Sequence, residues 1–139
     1  IFKKDLREDI KNSSVLKFNI MEMEKTELLD QARVDLTSIK KIEITSSWKN
    51  NLEIMSEGSH KGKAIEYLSD LLGIDRESII AFGDNYNDLS MIEFAGTGVA
   101  MGNAEEEVKK IANHVTSRNG ESGVAKAINS LVLQKVVSA

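Results

Sequence analysis

The chain has 139 residues, a net charge of −4, 41% apolar and 29% charged residues, and neither cysteine nor proline. That is enough for one ordinary domain or two small units. It excludes a disulfide frame or thiol chemistry, a disordered chain and, since no apolar run reaches about 18 residues, a membrane-spanning helix. The charges are mixed, the longest like-charged run being Glu105-Glu106-Glu107, so nucleic acid is not an expected partner. No signal peptide is visible, which leaves a cytoplasmic location as the expectation. The first residue is Ile1 rather than methionine, from which a piece of a longer protein is expected.

Residues 1–12 are charged and weakly amphipathic (Phe2, Leu6, Ile10), a short helix at best. From Leu16 the pattern alternates, with Leu16, Phe18 and Ile20 against Lys17 and Asn19, and this predicts a half-buried strand. Thr26 is placed to cap a helix whose apolar side is Leu28, Leu29, Ala32, Leu36 and Ile39. Ile42 and Ile44, then Leu52 and Ile54, alternate with polar residues, and Lys49-Asn50-Asn51 supplies a turn between them. Residues 15–57 therefore read as strand, helix, strand, strand, ending in an antiparallel hairpin.

After Gly58 the pattern changes. Lys63–Leu72 predicts a helix with Ala64, Ile65, Leu68, Leu71 and Leu72 on one face, stopped by Gly73. A buried strand over Ile79–Phe82, a short helix over Leu89–Phe94 and a strand over Gly98–Met101 follow. Asn103 is placed to cap a helix with three glutamates in its first turn and Lys109-Lys110 near its end, the order the helix dipole favours. A small strand over His114–Thr116 and a last helix from Ser122, with Val124, Ala127, Ile128 and Leu131 inward, complete the chain. Alternating helix and strand predicts a parallel α/β unit, with the boundary near residues 57–60.

The chain is organised around Ile79–Leu89. Four apolar residues are followed by Gly83, Asp84, Asn87 and Asp88 at a helix start. Such a strand-to-helix junction is a common way to build a metal or phosphate site, since ligands bind at strand carboxyl ends. Helix capping is the competing explanation. It accounts for one acid at the helix start and less well for Asp84 directly after the apolar run, so both readings stand here.

Other motifs fall short. Gly58-Ser-His-Lys-Gly-Lys63-Ala64 opens a helix as a nucleotide phosphate loop would, but it is one residue short and Ala64 stands where Ser or Thr should hold magnesium. A linker between units is one reading. A better one is that Lys61 is a single cation set at a helix start to meet a phosphate. Gly96-x-Gly98-x-x-x-Gly102 has the wrong spacing for a dinucleotide fingerprint and reads as turn glycine. A calcium loop from Asp84 fails because its required Gly falls on Leu89 and its terminal Glu on Ala95. Tyr86, Trp48, His60 and His114 are expected in structural roles.

Taken together, Ser59-His60-Lys61-Gly62, Gly83-Asp84-Asn85-Tyr86-Asn87-Asp88, Val99-Ala100-Met101-Gly102-Asn103-Ala104 and Asn119-Gly120-Glu121-Ser122-Gly123-Val124 resemble the C-terminal part of a haloacid dehalogenase superfamily hydrolase, of the Cof-type sugar-phosphatase branch. The resemblance covers residues 57–133 closely, and residues 15–57 resemble the end of that branch's α+β cap. It implies an α/β fold: cap remnant over 1–57, then the second half of a Rossmann-like parallel-sheet core over 58–139. It implies hydrolysis of small phosphorylated metabolites through an aspartyl-phosphate with Mg²⁺. In that reading Lys61 is the catalytic cation on the phosphoryl group, Asn87 lies beside the phosphate, Asp84 is a magnesium ligand, and Asp88 is a second ligand or a partner behind it. The family's nucleophile lies in an Asp-x-Asp motif, and this sequence contains none; its Ser or Thr motif has no match either, because Thr45-Ser46-Ser47 lies in the cap part. A fragment inactive by itself is therefore expected, with a non-catalytic binding or regulatory module as the alternative. Family topology also puts the strand absent here beside Ile79–Phe82, so an open hydrophobic edge and self-association are expected.

Overall fold

The structure is a computed structural model and describes residues 5–134. Phe2 of the expected N-terminal helix lies outside these residues; α1 covers Arg7–Lys11. Two three-stranded sheets follow in chain order. The first holds β1 (Lys17–Met21), β2 (Ile42–Thr45) and β3 (Asn51–Ser56) in the order β1-β3-β2, antiparallel throughout. The second holds β4 (Ile80–Gly83), β5 (Thr97–Ala100) and β6 (His114–Val115) in sequence order and parallel. The α/β class and the antiparallel-then-parallel order agree with the sequence pattern.

In the first sheet alternation sorts the side chains by face. Lys17 pairs with Met55, Asn19 with Glu53 and Thr45 with Glu53, so these residues share one face with Glu43 and Asn51. Phe18, Ile20, Ile42, Ile44, Leu52 and Ile54 take the other. Helix α2 (Glu27–Leu36) lies against β3, with Leu29 and Leu52 both buried. Thr26 makes no capping bond. The Glu22 carboxylate instead accepts the amides of Glu24 and Lys25 just ahead of the helix. The helix ends before Ile39, and Leu28 and Ile39 of the predicted apolar side are exposed rather than inward. The β2–β3 turn is held by Asn51, whose Oδ1 accepts the amides of Ser47 and Trp48 at 3.1 and 2.9 Å.

The parallel half is built by short crossovers: α4 (Leu89–Phe94) between β4 and β5, and α5 (Glu106–Ile111) between β5 and β6. Its core gathers Ile92, Ala100, Met101, Ala104 and Val108, with Phe82, Leu89 and Ala112 packed against them. Asn103 does not cap α5; Glu105 stands at that position, and the Asn103 side chain is used elsewhere. In α6 (Gly123–Ile128) only Gly123 and Ala127 are buried, while Val124 and Ile128 stay exposed.

Helix α3 (Lys61–Leu72) stops at Gly73 as expected, but it turns a different side inward. A Cβ on Gly62 would lie 2.4 Å from the Ser90 carbonyl oxygen, so the helix backbone presses directly on the start of α4. That approach fixes the helix rotation: Gly62 and Ser69 are buried, and Leu68, Leu71 and Leu72 of the predicted inner face are exposed. Among the described residues no helix is long and apolar enough to cross a membrane.

Candidate active site

Three chain segments converge at the carboxyl end of β4. The first is the start of α3. His60 caps this helix, its Nδ1 accepting the Lys63 amide at 3.2 Å, and the Gly62 amide donates to Ser90 Oγ at 3.1 Å. Both contacts fix Lys61, the first helical residue, over the β4–α4 junction.

The junction itself supplies Asp84 and Asp88, and the structure gives them different surroundings. Asp88 is buried. Its Oδ1 accepts Lys61 Nζ at 2.5 Å, and its Oδ2 accepts the amides of Asp84 and Asn85 at 2.9 and 3.2 Å. The Asp88 amide in turn donates to the Asn85 backbone carbonyl at 2.9 Å, closing the turn. Capping therefore describes Asp88, with a lysine added to its other oxygen. Gly83 makes this possible, because a Cβ there would lie 2.4 Å from the Asp88 Cβ. Asp84 does no capping. Its Oδ2 accepts Asn103 Nδ2 at 3.0 Å and its Oδ1 accepts Asn85 Nδ2 at 3.4 Å. A carboxylate has about four acceptor directions, so both oxygens keep open ones. Among the described residues no three acidic or histidine side chains cluster as a complete metal cage.

The third segment is the polar face of the antiparallel sheet. Asn87 Nδ2 donates to Ser47 Oγ at 3.0 Å, and Ser47 Oγ donates to Glu53 Oε1 at 2.6 Å. Lys17 Nζ reaches Glu53 Oε2 at 3.1 Å. A cavity of about 450 Å³ lies between the antiparallel sheet and the starts of α3 and α4, and Lys17, Thr45, Ser47, Glu53, Lys61 and Asn87 are on its wall. Thr45 Oγ1 is buried and has no hydrogen-bond partner among the described residues, a gap of the kind a bound molecule or a water fills. Burial pushes the Glu53 carboxyl up, but hydrogen bonds from Ser47 and Lys17 outweigh it, and the group stays below its ordinary value. At the rim, burial and then the Glu107 carboxylate, which accepts the Tyr86 hydroxyl at 3.2 Å, push that phenol up.

The sequence-predicted residues thus meet in one place: Lys61 on Asp88, Asp88 on the backbone of Asp84, and Asn87 on the same cavity wall as Lys61. Sequence reasoning missed Asn103, which it read as a cap, and it missed Lys17, Ser47 and Glu53. A signal for two of these was present. Lys17 and Glu53 sit at alternating positions of two strands whose other face is apolar, and opposite charges there mark a polar wall.

The whole arrangement has relatives. The family described as haloacid dehalogenase-like hydrolase matches residues 1–128. The 5-amino-6-(5-phospho-D-ribitylamino)uracil phosphatase YcsE of Bacillus subtilis is 38% identical over 133 residues, which is 96% of this chain and 53% of that protein. A haloacid dehalogenase-like hydrolase structure from B. subtilis superposes with a TM-score of 0.82 at 34% identity, over 90% of this chain and 45% of the other. The structure of a subclass IIB sugar phosphatase superposes with a TM-score of 0.78 at 32% identity, over 89% and 46%. The chain spans about half the length of these relatives. Sequence motifs, fold and relatives agree, and the chain belongs to the haloacid dehalogenase-like hydrolase family.

Proposed function

We propose that this chain supplies the lysine and metal-binding side of a phosphatase acting on a small phosphorylated metabolite. The observation that carries the reading is the Lys61–Asp88–Asp84 junction: a cation on a cavity wall, held by a buried carboxylate that also fixes the backbone of a second carboxylate with open acceptor directions. Phosphoryl transfer needs little from a protein beyond positioning and neutralisation of oxygen charge. Lys61 neutralises the phosphoryl oxygens, and Asn87 donates an amide N–H to them. Asp84 fits Mg²⁺, an ion usually held by one or two carboxylates together with substrate phosphate and water. Bound there, the ion would add charge neutralisation and orientation of the phosphate. Asp88, expected from the sequence as a second metal ligand or a partner behind it, has its oxygens on Lys61 and two amides, and we assign it to holding Lys61 and Asp84 in place.

The division of labour follows the two sheets. Residues 1–57 are read as the end of a substrate-selecting cap and 58–139 as half of a catalytic core, in a cytoplasmic enzyme. The nucleophilic carboxylate of the family has no counterpart in this sequence, and neither Lys61 nor Asp84 replaces it. The 139 residues alone are therefore expected to be inactive. The same lack favours a second reading, a non-catalytic module that keeps these residues for capping and folding.

One assay separates the two readings. In the full-length protein, Lys61→Ala and Asp84→Asn are each expected to lower p-nitrophenyl phosphate turnover by about 100-fold or more, the scale of losing one charge-stabilising group. Unchanged turnover in both variants overturns the catalytic reading. A full-length protein without turnover supports the non-catalytic module, and turnover by the 139 residues alone overturns the expected inactivity.

A further inference from the structure

The buried carboxylate of the antiparallel sheet has no part in the roles assigned above. Glu53 is 7% exposed, and a charge so placed requires partners. Lys17 Nζ, Ser47 Oγ and Asn51 Nδ2 provide them, at 3.1, 2.6 and 3.4 Å. An ionised carboxylate only accepts hydrogen bonds. Ser47 has one hydroxyl proton, and the 2.6 Å contact directs it to Glu53. With that proton engaged, the same oxygen can only accept from Asn87. Asn87 must therefore present its NH₂, and not its carbonyl, to Ser47 at 3.0 Å. One amide N–H is held in this way. The other remains for an acceptor in the cavity that Asn87 and Lys61 both line. The backbone carrying Ser47 is pinned as well, since Asn51 Oδ1 accepts the amides of Ser47 and Trp48 while Asn51 Nδ2 donates to Asn19.

We propose that Ser47, oriented by Glu53, is a positioning residue that fixes the Asn87 amide with an N–H toward the phosphoryl oxygens, tying the antiparallel sheet to the phosphate end of the cavity. The inference rests on the assignment of Asn87 to phosphate. It makes a specific claim about charge. In Glu53→Gln only one side of the group still accepts, and where its NH₂ faces Ser47 the acceptor for the Ser47 hydroxyl is lost. The Ser47 proton is then released toward Asn87, whose amide turns over to present its carbonyl.

The test is p-nitrophenyl phosphate hydrolysis by the full-length protein. Asn87→Ala is expected to lower kcat/KM about 100-fold, and Ser47→Ala and Glu53→Gln about tenfold each. Ser47→Thr keeps the hydroxyl and is expected to stay within about threefold of the parent. Adding Ser47→Ala to Asn87→Ala is expected to cost no more than about twofold further, because the two act as a unit. Parental activity in Ser47→Ala and Glu53→Gln alongside an impaired Asn87→Ala overturns the proposal and leaves the Asn87 assignment standing. Parental activity in Asn87→Ala overturns that assignment itself. Loss in Ser47→Thr equal to that in Ser47→Ala points to packing and also overturns the proposal. Glu53→Gln and Ser47→Thr change shape little and decide the question if Ser47→Ala does not fold. The Asn87 side-chain amide resonances of the 139-residue chain give an independent readout, expected to persist in Ser47→Thr and shift in Glu53→Gln.

Discussion

Glu53 shows how one side chain ties pH to stability. Its carboxyl is held below the ordinary value in the folded chain, so the unfolded chain binds its proton first as pH falls. The stabilisation it gives is complete above the unfolded value of about 4.3 and is lost as pH drops through the lower folded value. Chemical denaturation of the parent chain is therefore expected to lose stability over that acidic window, and Glu53→Gln is expected to be less stable at pH 7 with a flatter acid dependence. Equal acid slopes in the two proteins would show that the network does not favour the ionised form. Exposed pairs such as Lys63–Glu66 and Lys109–Glu106 add little to this balance, since surface pairs are screened by solvent.

At the scale of elements, the β4–α4 junction depends on close backbone approach. Gly83→Ala would set a methyl against the Asp88 side chain, whose carboxylate holds both Lys61 and the Asp84 amide. The expected result is a loss of about 1–3 kcal/mol in denaturant unfolding, the usual cost of overpacking, together with weaker catalysis in the full-length protein. An unchanged unfolding midpoint would mean that the junction relaxes. The same junction shows what the sequence can and cannot reveal. The strand, the acids and Lys61 were legible because an apolar run ending in Gly-Asp leaves few alternatives and four motifs fall in order. The rotation of α3 was not. Periodicity identifies its apolar stripe, but the Gly62–Ser90 contact decides which side packs, and that contact joins segments distant in sequence. Ser47, Glu53 and Asn103 were hidden for a similar reason. Each reads locally as a turn, a solvated strand position or a cap, and takes its role from a partner brought in by the fold.

Over the whole molecule, one flank is open. Among the described residues β4 ends the parallel sheet, and α3, which packs on α4, carries Tyr67 and Leu71 on its outward side, 70% and 67% exposed. An unpaired strand edge and an exposed apolar stripe each favour association with another chain. The 139-residue chain is expected to sediment as a concentration-dependent oligomer, shifted toward monomer by Leu68→Lys with Leu71→Lys; a monomeric profile of the parent at all concentrations would refute this.

The strand registers also set an order of events in time. Ile80 finds Thr97 and Val99 finds His114 across single short crossovers, whereas Lys17 must find Met55 with a helix and a further strand in between. Closing a longer loop costs more entropy, and contacts distant along the chain form more slowly. The parallel half is thus the natural first structure in refolding, and the antiparallel sheet assembles later. Pulse-labelled hydrogen exchange is expected to protect the amides of β4 and β5 before those of β1, and the opposite order would contradict it. The Ser47–Asn87 bond spans the two halves, so the cavity would be the last part of the molecule to take shape.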